Sequence, residues 1–121
     1  MIDSCNREID TLRISVTDRC NLNCFYCKNK NFLHSPKARI LSYEEIFKIV
    51  KCFIKLGINK IKLTGGEPLL RNQLIEFIKA LSSLHLKDLV MTTNGTLLLN
   101  FAYQLYRAGL KRINVSLDTL K

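Results

Sequence analysis

The sequence predicts an α/β domain built on a parallel sheet that forms part of a (β/α) barrel and stops before the sheet closes. Three observations carry this. Four short runs rich in branched residues alternate with three longer runs of helical periodicity, the signature of repeated βα units with right-handed crossovers. The short runs alternate apolar and polar residues, whereas strands buried on both faces read as nearly continuous apolar stretches. Each short run also ends in the least ordinary residues of the chain: closely spaced cysteines, a Gly-Gly turn, Thr-Thr-Asn-Gly and Ser-Leu-Asp.

A polar leader covers residues 1–11, and residues 12–121 read as the core. The predicted strands run from Leu12 to Thr17, Lys60 to Thr64, Leu89 to Thr93 and Ile113 to Leu117. The first predicted helix runs from about Tyr43 to Leu56. Ser42 and Glu45 form a capping-box pattern before it, Gly57 ends it, and Ile46, Ile49, Val50 and Phe53 keep helical spacing. The second runs from about Gln73 to Leu84 on a stripe of Leu74, Ile75, Phe77, Ile78 and Leu81. The third runs from about Leu98 to Ala108 and stops at Gly109.

Composition fits one core. Of 121 residues, 47% are hydrophobic, which suits a single domain. Nineteen Lys and Arg against ten Asp and Glu give a formal charge of +9, a field that favours polyanions such as nucleotides, nucleic acid or an anionic membrane, or that is plain solvated surface. Aromatic residues do not interleave with the basic positions as a base-stacking platform requires, which disfavours nucleic acid. There is no signal-peptide pattern and no apolar span of transmembrane length, so a reducing, cytoplasmic setting without a membrane partner is the expectation.

Alternation along the strands sorts their side chains into two faces. Leu12, Ile14 and Val16 oppose Arg13, Ser15 and Thr17; Ile61 and Leu63 oppose Lys60, Lys62 and Thr64; Ile113, Val115 and Leu117 oppose Asn114, Ser116 and Asp118. The apolar face must meet the helices. The other face, with Arg13, Lys62, Ser116 and Asp118, is expected to border a wet lumen, unlike the closed barrel core packed with Val, Ile and Leu. The motifs that follow the strands converge on the C-terminal rim, where ligands bind in sheets and barrels of this class.

Cys20, Cys24 and Cys27 follow the first strand in a C-x3-C-x2-C spacing. Three close thiolates can hold three irons of a four-iron cluster, and with no obvious fourth cysteine one iron is left open to an outside ligand. A structural zinc site is the lesser reading, since such sites are four-coordinate and usually pair their cysteines; its nearest fourth ligand is His34. A disulfide framework fits a reducing compartment less well still. Cys5 and Cys52 have no close partner and read as bystanders. His34 and His85 read as surface or loop residues, and Lys28, Lys30, Lys37 and Arg39 as a solvated basic loop or, secondarily, a guide for an anion.

The cysteine spacing, with an aromatic residue just before the last cysteine, resembles the signature of the radical S-adenosylmethionine (SAM) enzymes. More extensively, LRISVTDRCNLNCFYC, IKLTGGEPLLR, MTTNG and INVSLDTL, in this order, resemble the N-terminal part of the GTP 3′,8-cyclase family of molybdenum-cofactor biosynthesis, the MoaA family. The resemblance implies a partial barrel of the radical SAM type with two cofactors, a [4Fe-4S] cluster and SAM. It implies a reaction in which a radical made from SAM abstracts hydrogen from the GTP ribose, giving (8S)-3′,8-cyclo-7,8-dihydroguanosine 5′-triphosphate, with a reducing electron donor as partner. By position, Cys20, Cys24 and Cys27 would bind the cluster; Tyr26, Gly66 and Ser116 would contact SAM; and Arg13, Lys62 and Thr92 would contact GTP. Lys62 stands where the family commonly has arginine, which keeps the charge but loses the bidentate fork. Glu67 would partner the SAM amino group, on resemblance to radical SAM enzymes generally. No residue is singled out as an acid, base or nucleophile.

The resemblance also implies what these residues lack: further βα units, three more cysteines for a second cluster and additional basic residues for the triphosphate. The sequence is therefore expected to be a truncated form, inactive in cyclisation, whose last strand leaves an apolar edge open to self-association or to a missing C-terminal half. Two alternatives stay open: another radical SAM branch acting on peptides or tetrapyrroles, and a catalytically silent iron-sulfur-binding chain.

Overall fold

The computed structural model describes residues 2–27 and 40–118. Four strands, β1 (Thr11–Ser15), β2 (Lys60–Thr64), β3 (Asp88–Thr93) and β4 (Arg112–Val115), pair in sequence order, every pairing parallel. Helices α1 (Tyr43–Lys55), α2 (Leu74–Ser82) and α3 (Leu98–Arg107) occupy the crossovers. The sheet is open, with β1 and β4 at its edges. The expected partial barrel of four strands and three helices is the fold observed.

Local chemistry sets the element ends. Ser42 and Glu45 form the expected capping box: the Glu45 amide donates to Ser42 Oγ at 3.2 Å, and the Ser42 amide donates to Glu45 Oε2 at 2.7 Å. The first strand is shorter than its apolar pattern, because pairing in β-ladder geometry ends at Ser15. Val16 still donates to the Thr64 carbonyl at 2.8 Å, so the chain stays extended past the strand proper. Helix α2 begins at Leu74 rather than Gln73. Gln73 is left-handed, with φ of 62°, and cannot start a right-handed helix. Between β2 and α2, Pro68–Leu70 makes one 3-10 turn with proline at its start, a site that needs no amide donor.

All three helices lie against one face of the sheet. Ile61, Leu63, Leu89 and Met91 from β2 and β3 meet Ile46 and Val50 of α1, Phe77, Ile78 and Leu81 of α2, and Leu105 of α3 in one buried core. Ile49 departs from the expected helix stripe. It is exposed and lines an open cleft of about 400 Å³ beside the β1 edge, where no further strand covers it among the described residues.

Register fixes the opposite face. Arg13, Lys62, Val90 and Arg112 form one row across the sheet, and Thr92 and Asn114 lie in the next row towards the strand ends. Lys60 and Asp88 occupy the row below. Val90 is buried yet stands outside the helix-side core. Among the described residues, no helix is long and apolar enough to cross a membrane.

Because Leu63 is fully buried at the centre of the core, Leu63→Ala is expected to cost about 2–5 kcal/mol in denaturant unfolding. Ser42→Ala, which removes only a cap, is expected to cost about 1 kcal/mol. Equal losses would contradict this placement of the core.

Candidate functional site

The strand ends meet at a backbone junction. After β1, the Thr17 carbonyl accepts from the Gly66 amide at 2.7 Å, and the Arg19 carbonyl accepts from the Glu67 amide at 2.7 Å. The segment leading into the cysteines is thus bonded to the Gly-Gly turn that follows β2. The glycines are needed for this contact: a Cβ at Gly66 would lie 2.1 Å from the Arg19 carbonyl oxygen, and one at Gly65 would lie 2.4 Å from that of Thr17. By the resemblance, Gly66 is expected to contact SAM. In the fold it is first a clearance for the protein's own backbone.

Glu67 extends the junction to β3. Its side chain is wholly buried. Oε1 accepts from Thr93 Oγ1 at 2.7 Å and from the Leu69 amide at 3.1 Å, and Oε2 accepts from the Asn94 amide at 2.8 Å. A buried carboxylate is tolerable when donors surround it, and here the donors come from both motifs. The carboxylate expected to meet the SAM amino group is thus committed to joining the Gly-Gly turn to the Thr-Thr-Asn-Gly turn.

Beyond Asn94, a ring of side chains binds the cysteine loop. Asn94 Nδ2 donates to Asn21 Oδ1 at 2.9 Å, Asn21 Nδ2 donates to Thr96 Oγ1 at 2.8 Å, and Thr96 Oγ1 donates to Asn94 Oδ1 at 2.7 Å. Cys20 Sγ accepts from the Leu22 amide at 3.4 Å and from Asn94 Nδ2 at 3.8 Å. Asn21 and Thr96 carried no sequence signal of their own beyond their proximity to the motifs. Arg71 was missed as well. It donates to the carbonyls of Val16 and Leu41, both at 2.6 Å, and its guanidinium lies 4.0 Å from the Tyr43 ring centre, so it fastens the start of the cysteine segment to the approach to α1.

A cavity of about 270 Å³ opens within this frame, lined among others by Thr17, Asp18, Cys20, Cys24, Cys27 and Gly66. All three predicted ligands therefore face one space. Cys20 and Cys24 are half-buried and Cys27 is exposed, while Cys5 and Cys52 lie on the surface away from the cavity lining. Among the described residues, no three His, Cys, Asp or Glu side chains converge on a single ion. A four-iron cluster asks for something else, one thiolate at each of separate corners, and a roomy cavity with three thiols along its wall fits that demand. His34, the alternative zinc ligand, and the basic loop of Lys28, Lys30, Lys37 and Arg39 lie outside the described residues.

Tyr26 and Ser116 complete the rim. The Tyr26 hydroxyl donates to the Asp118 carboxylate, and this bond, ahead of desolvation, raises the phenol well above its ordinary pKa. Asp118, expected to face the lumen, is thereby drawn to the cysteine loop. Ser116 is exposed, its amide donating to the Thr93 carbonyl at 2.9 Å.

The cations of the lumen face are of two kinds. Lys60 is paired with Asp10 at 2.5 Å, and Arg112 is paired with Asp88. The Lys60 hydrogen bond, then that of Thr11, holds the Asp10 carboxyl below its usual range. Arg13 donates only a long bond of 3.4 Å to Thr64 Oγ1, and among the described residues neither it nor Lys62 pairs with a carboxylate. Among the described residues of this face, the two cations left for an anion are the adjacent pair predicted from the alternation.

Comparison with known proteins gives this arrangement a family. The profile described as the Radical SAM superfamily matches residues 14–121. The chain belongs to the radical SAM superfamily. That membership brings a [4Fe-4S] cluster and SAM as its cofactors. Proteins named GTP 3′,8-cyclase are similar over almost the whole chain: that of Thermodesulfovibrio yellowstonii is 55% identical, covering 99% of this chain and 38% of the relative. That of Petrotoga mobilis is 51% identical with the same coverages, 99% and 38%. The chain thus spans 38% of the length of these curated relatives. Among solved structures, BtrN in complex with AdoMet and 2-DOIA is similar in fold, with a TM-score of 0.64 and 22% identity over 90% of this chain and 46% of that one.

Two expectations follow for this radical SAM core. Anaerobic reconstitution should load about four irons per chain; Cys20→Ala, Cys24→Ala or Cys27→Ala should abolish loading and Cys5→Ala or Cys52→Ala should not. Zinc bound tightly in place of iron by the unaltered chain would contradict the cluster assignment. Gly66→Ala should destabilise even the metal-free chain, by on the order of 3 kcal/mol in thermal unfolding, because its Cβ meets backbone. A variant of unchanged stability with a defect confined to SAM binding would refute the junction.

Proposed function

We propose that this chain is the cluster- and SAM-binding portion of a GTP 3′,8-cyclase. Cys20, Cys24 and Cys27 hold the cluster, and Tyr26, Gly66 and Ser116 border SAM. Arg13, Lys62 and Thr92 receive GTP. When bound, the reduced cluster supplies the electron that cleaves SAM. This chain's own residues do the positioning: the Gly-Gly junction holds the cysteine loop, Glu67 locks the neighbouring turn, and the lumen cations orient an anion beneath the rim.

The observation that carries the substrate reading is the charge sorting of the lumen. Asp10 and Asp88 neutralise Lys60 and Arg112, while Arg13 and Lys62 stand side by side in register. Adjacent cations on one face of the sheet suit a nucleotide phosphate, with Arg13 able to make forked contacts and Lys62 acting as a point charge. Similarity at 55% identity to proteins named GTP 3′,8-cyclase supports the same substrate. The relatives' greater length supports a division of labour in which the rest of the cyclase completes the nucleotide site, and an external donor supplies electrons.

Reduced, reconstituted protein incubated with SAM and GTP tests this. These 121 residues, assayed alone, should release 5′-deoxyadenosine slowly and form no cyclised nucleotide. GTP binding should be weak, fall with salt, and drop about tenfold on Arg13→Ala or Lys62→Ala. Absence of 5′-deoxyadenosine from a cluster-loaded sample would refute the SAM assignment. GTP binding indifferent to both cations would refute the substrate assignment.

A further inference from the structure

The ring of Asn94, Asn21 and Thr96 has one possible orientation. The Thr96 backbone amide can only donate, and it does so to Asn94 Oδ1 at 3.0 Å. Asn94 Oδ1 therefore faces Thr96, and Nδ2 faces the cysteine loop. One Nδ2 hydrogen goes to Asn21 Oδ1, 2.9 Å away. The second points at Cys20 Sγ, 3.8 Å away, where the Leu22 amide is already a donor at 3.4 Å. Asn21 and Thr96 close the circuit, so rotating the Asn94 amide breaks several bonds at once. Asn94 is further fixed through its own amide, held by the buried Glu67 carboxylate at 2.8 Å.

We propose that Asn94 is a positioning residue that tunes the cluster through Cys20, donating an N–H to the sulfur so that the reduced, more negative cluster is favoured and its reduction potential raised. This rests on the assignment of Cys20 as a cluster ligand. Hydrogen bonds to cluster sulfurs are one of the protein's controls on potential, together with charge and solvent exposure. The asymmetry is informative. Cys20 is the ligand nearest the junction and receives two donors, whereas Cys27 is exposed to solvent.

The test measures potential rather than turnover. The full chain and its Asn94→Asp, Asn94→Ala and Thr96→Val variants are reconstituted and titrated by spectroelectrochemistry, with iron content and melting temperature recorded. Asn94→Asp retains the oxygen facing Thr96 but removes the donor to sulfur, and should shift the midpoint to more negative potential at full iron content. Asn94→Ala should shift it in the same direction. Thr96→Val removes the ring hydroxyl but keeps the backbone amide that orients Asn94, and should hold the potential of the unaltered chain. An unchanged potential in both Asn94 variants, an equal shift in Thr96→Val, or loss of iron from both Asn94 variants would overturn the proposal. Failure of the unaltered chain to take up iron would instead overturn the cluster assignment on which it rests.

Discussion

The buried carboxylate of Glu67 is the constraint on which the site depends. It has no exposed surface, and its oxygens are served by donors from its own turn and from the end of β3. Removing any of those donors leaves a desolvated acceptor short of a partner, a cost of about 1–3 kcal/mol, so the two turns are held together by the expense of separating them. The backbone bonds of Gly66 and Glu67 to Thr17 and Arg19 then attach the cysteine segment to the same knot. Three strand ends distant in sequence become one rigid rim, and the thiols project from it.

Beneath the rim, parallel register does for charge what Glu67 does for the turns. Pairing places Arg13 beside Lys62 and places Arg112 in the same row two strands over. Left alone, such a row of like charges would repel. Asp88 neutralises Arg112 at the β4 end of the row and Asp10 neutralises Lys60 in the row below, so the positive charge stays on Arg13 and Lys62 at the β1–β2 side. The overall excess of basic residues therefore matters less to the site than the positions of two acids.

Much of this was legible in the sequence because period-2 alternation and βα order are local signals. Arg13 and Lys62 fell on the lumen face by counting residues, and the cysteine spacing marked the cavity. Tertiary bonds were not legible. Nothing local tells that the carboxylate of Glu67 turns inward to Thr93, or that Asn94 reaches Cys20, since those partners are set by strand pairing across the sheet. The glycine pair illustrates the same limit. A sequence reveals that side chains are absent there, and only the fold reveals that the Thr17 and Arg19 carbonyls occupy the space. Ile49 kept perfect helical spacing and still lies exposed, because periodicity identifies a face without identifying what covers it.

The donors to Cys20 have a further consequence in time. Asn94 follows Cys20 by 74 residues, and a parallel sheet cannot bring them together until two crossovers have been made. At ordinary rates of synthesis that interval lasts on the order of ten seconds. Through it the thiols lie on a segment without its Gly-Gly buttress, its amide ring or its carboxylate knot. The nascent chain thus carries its three thiols before it carries a site, and their protection during that interval falls to the cell rather than to the fold.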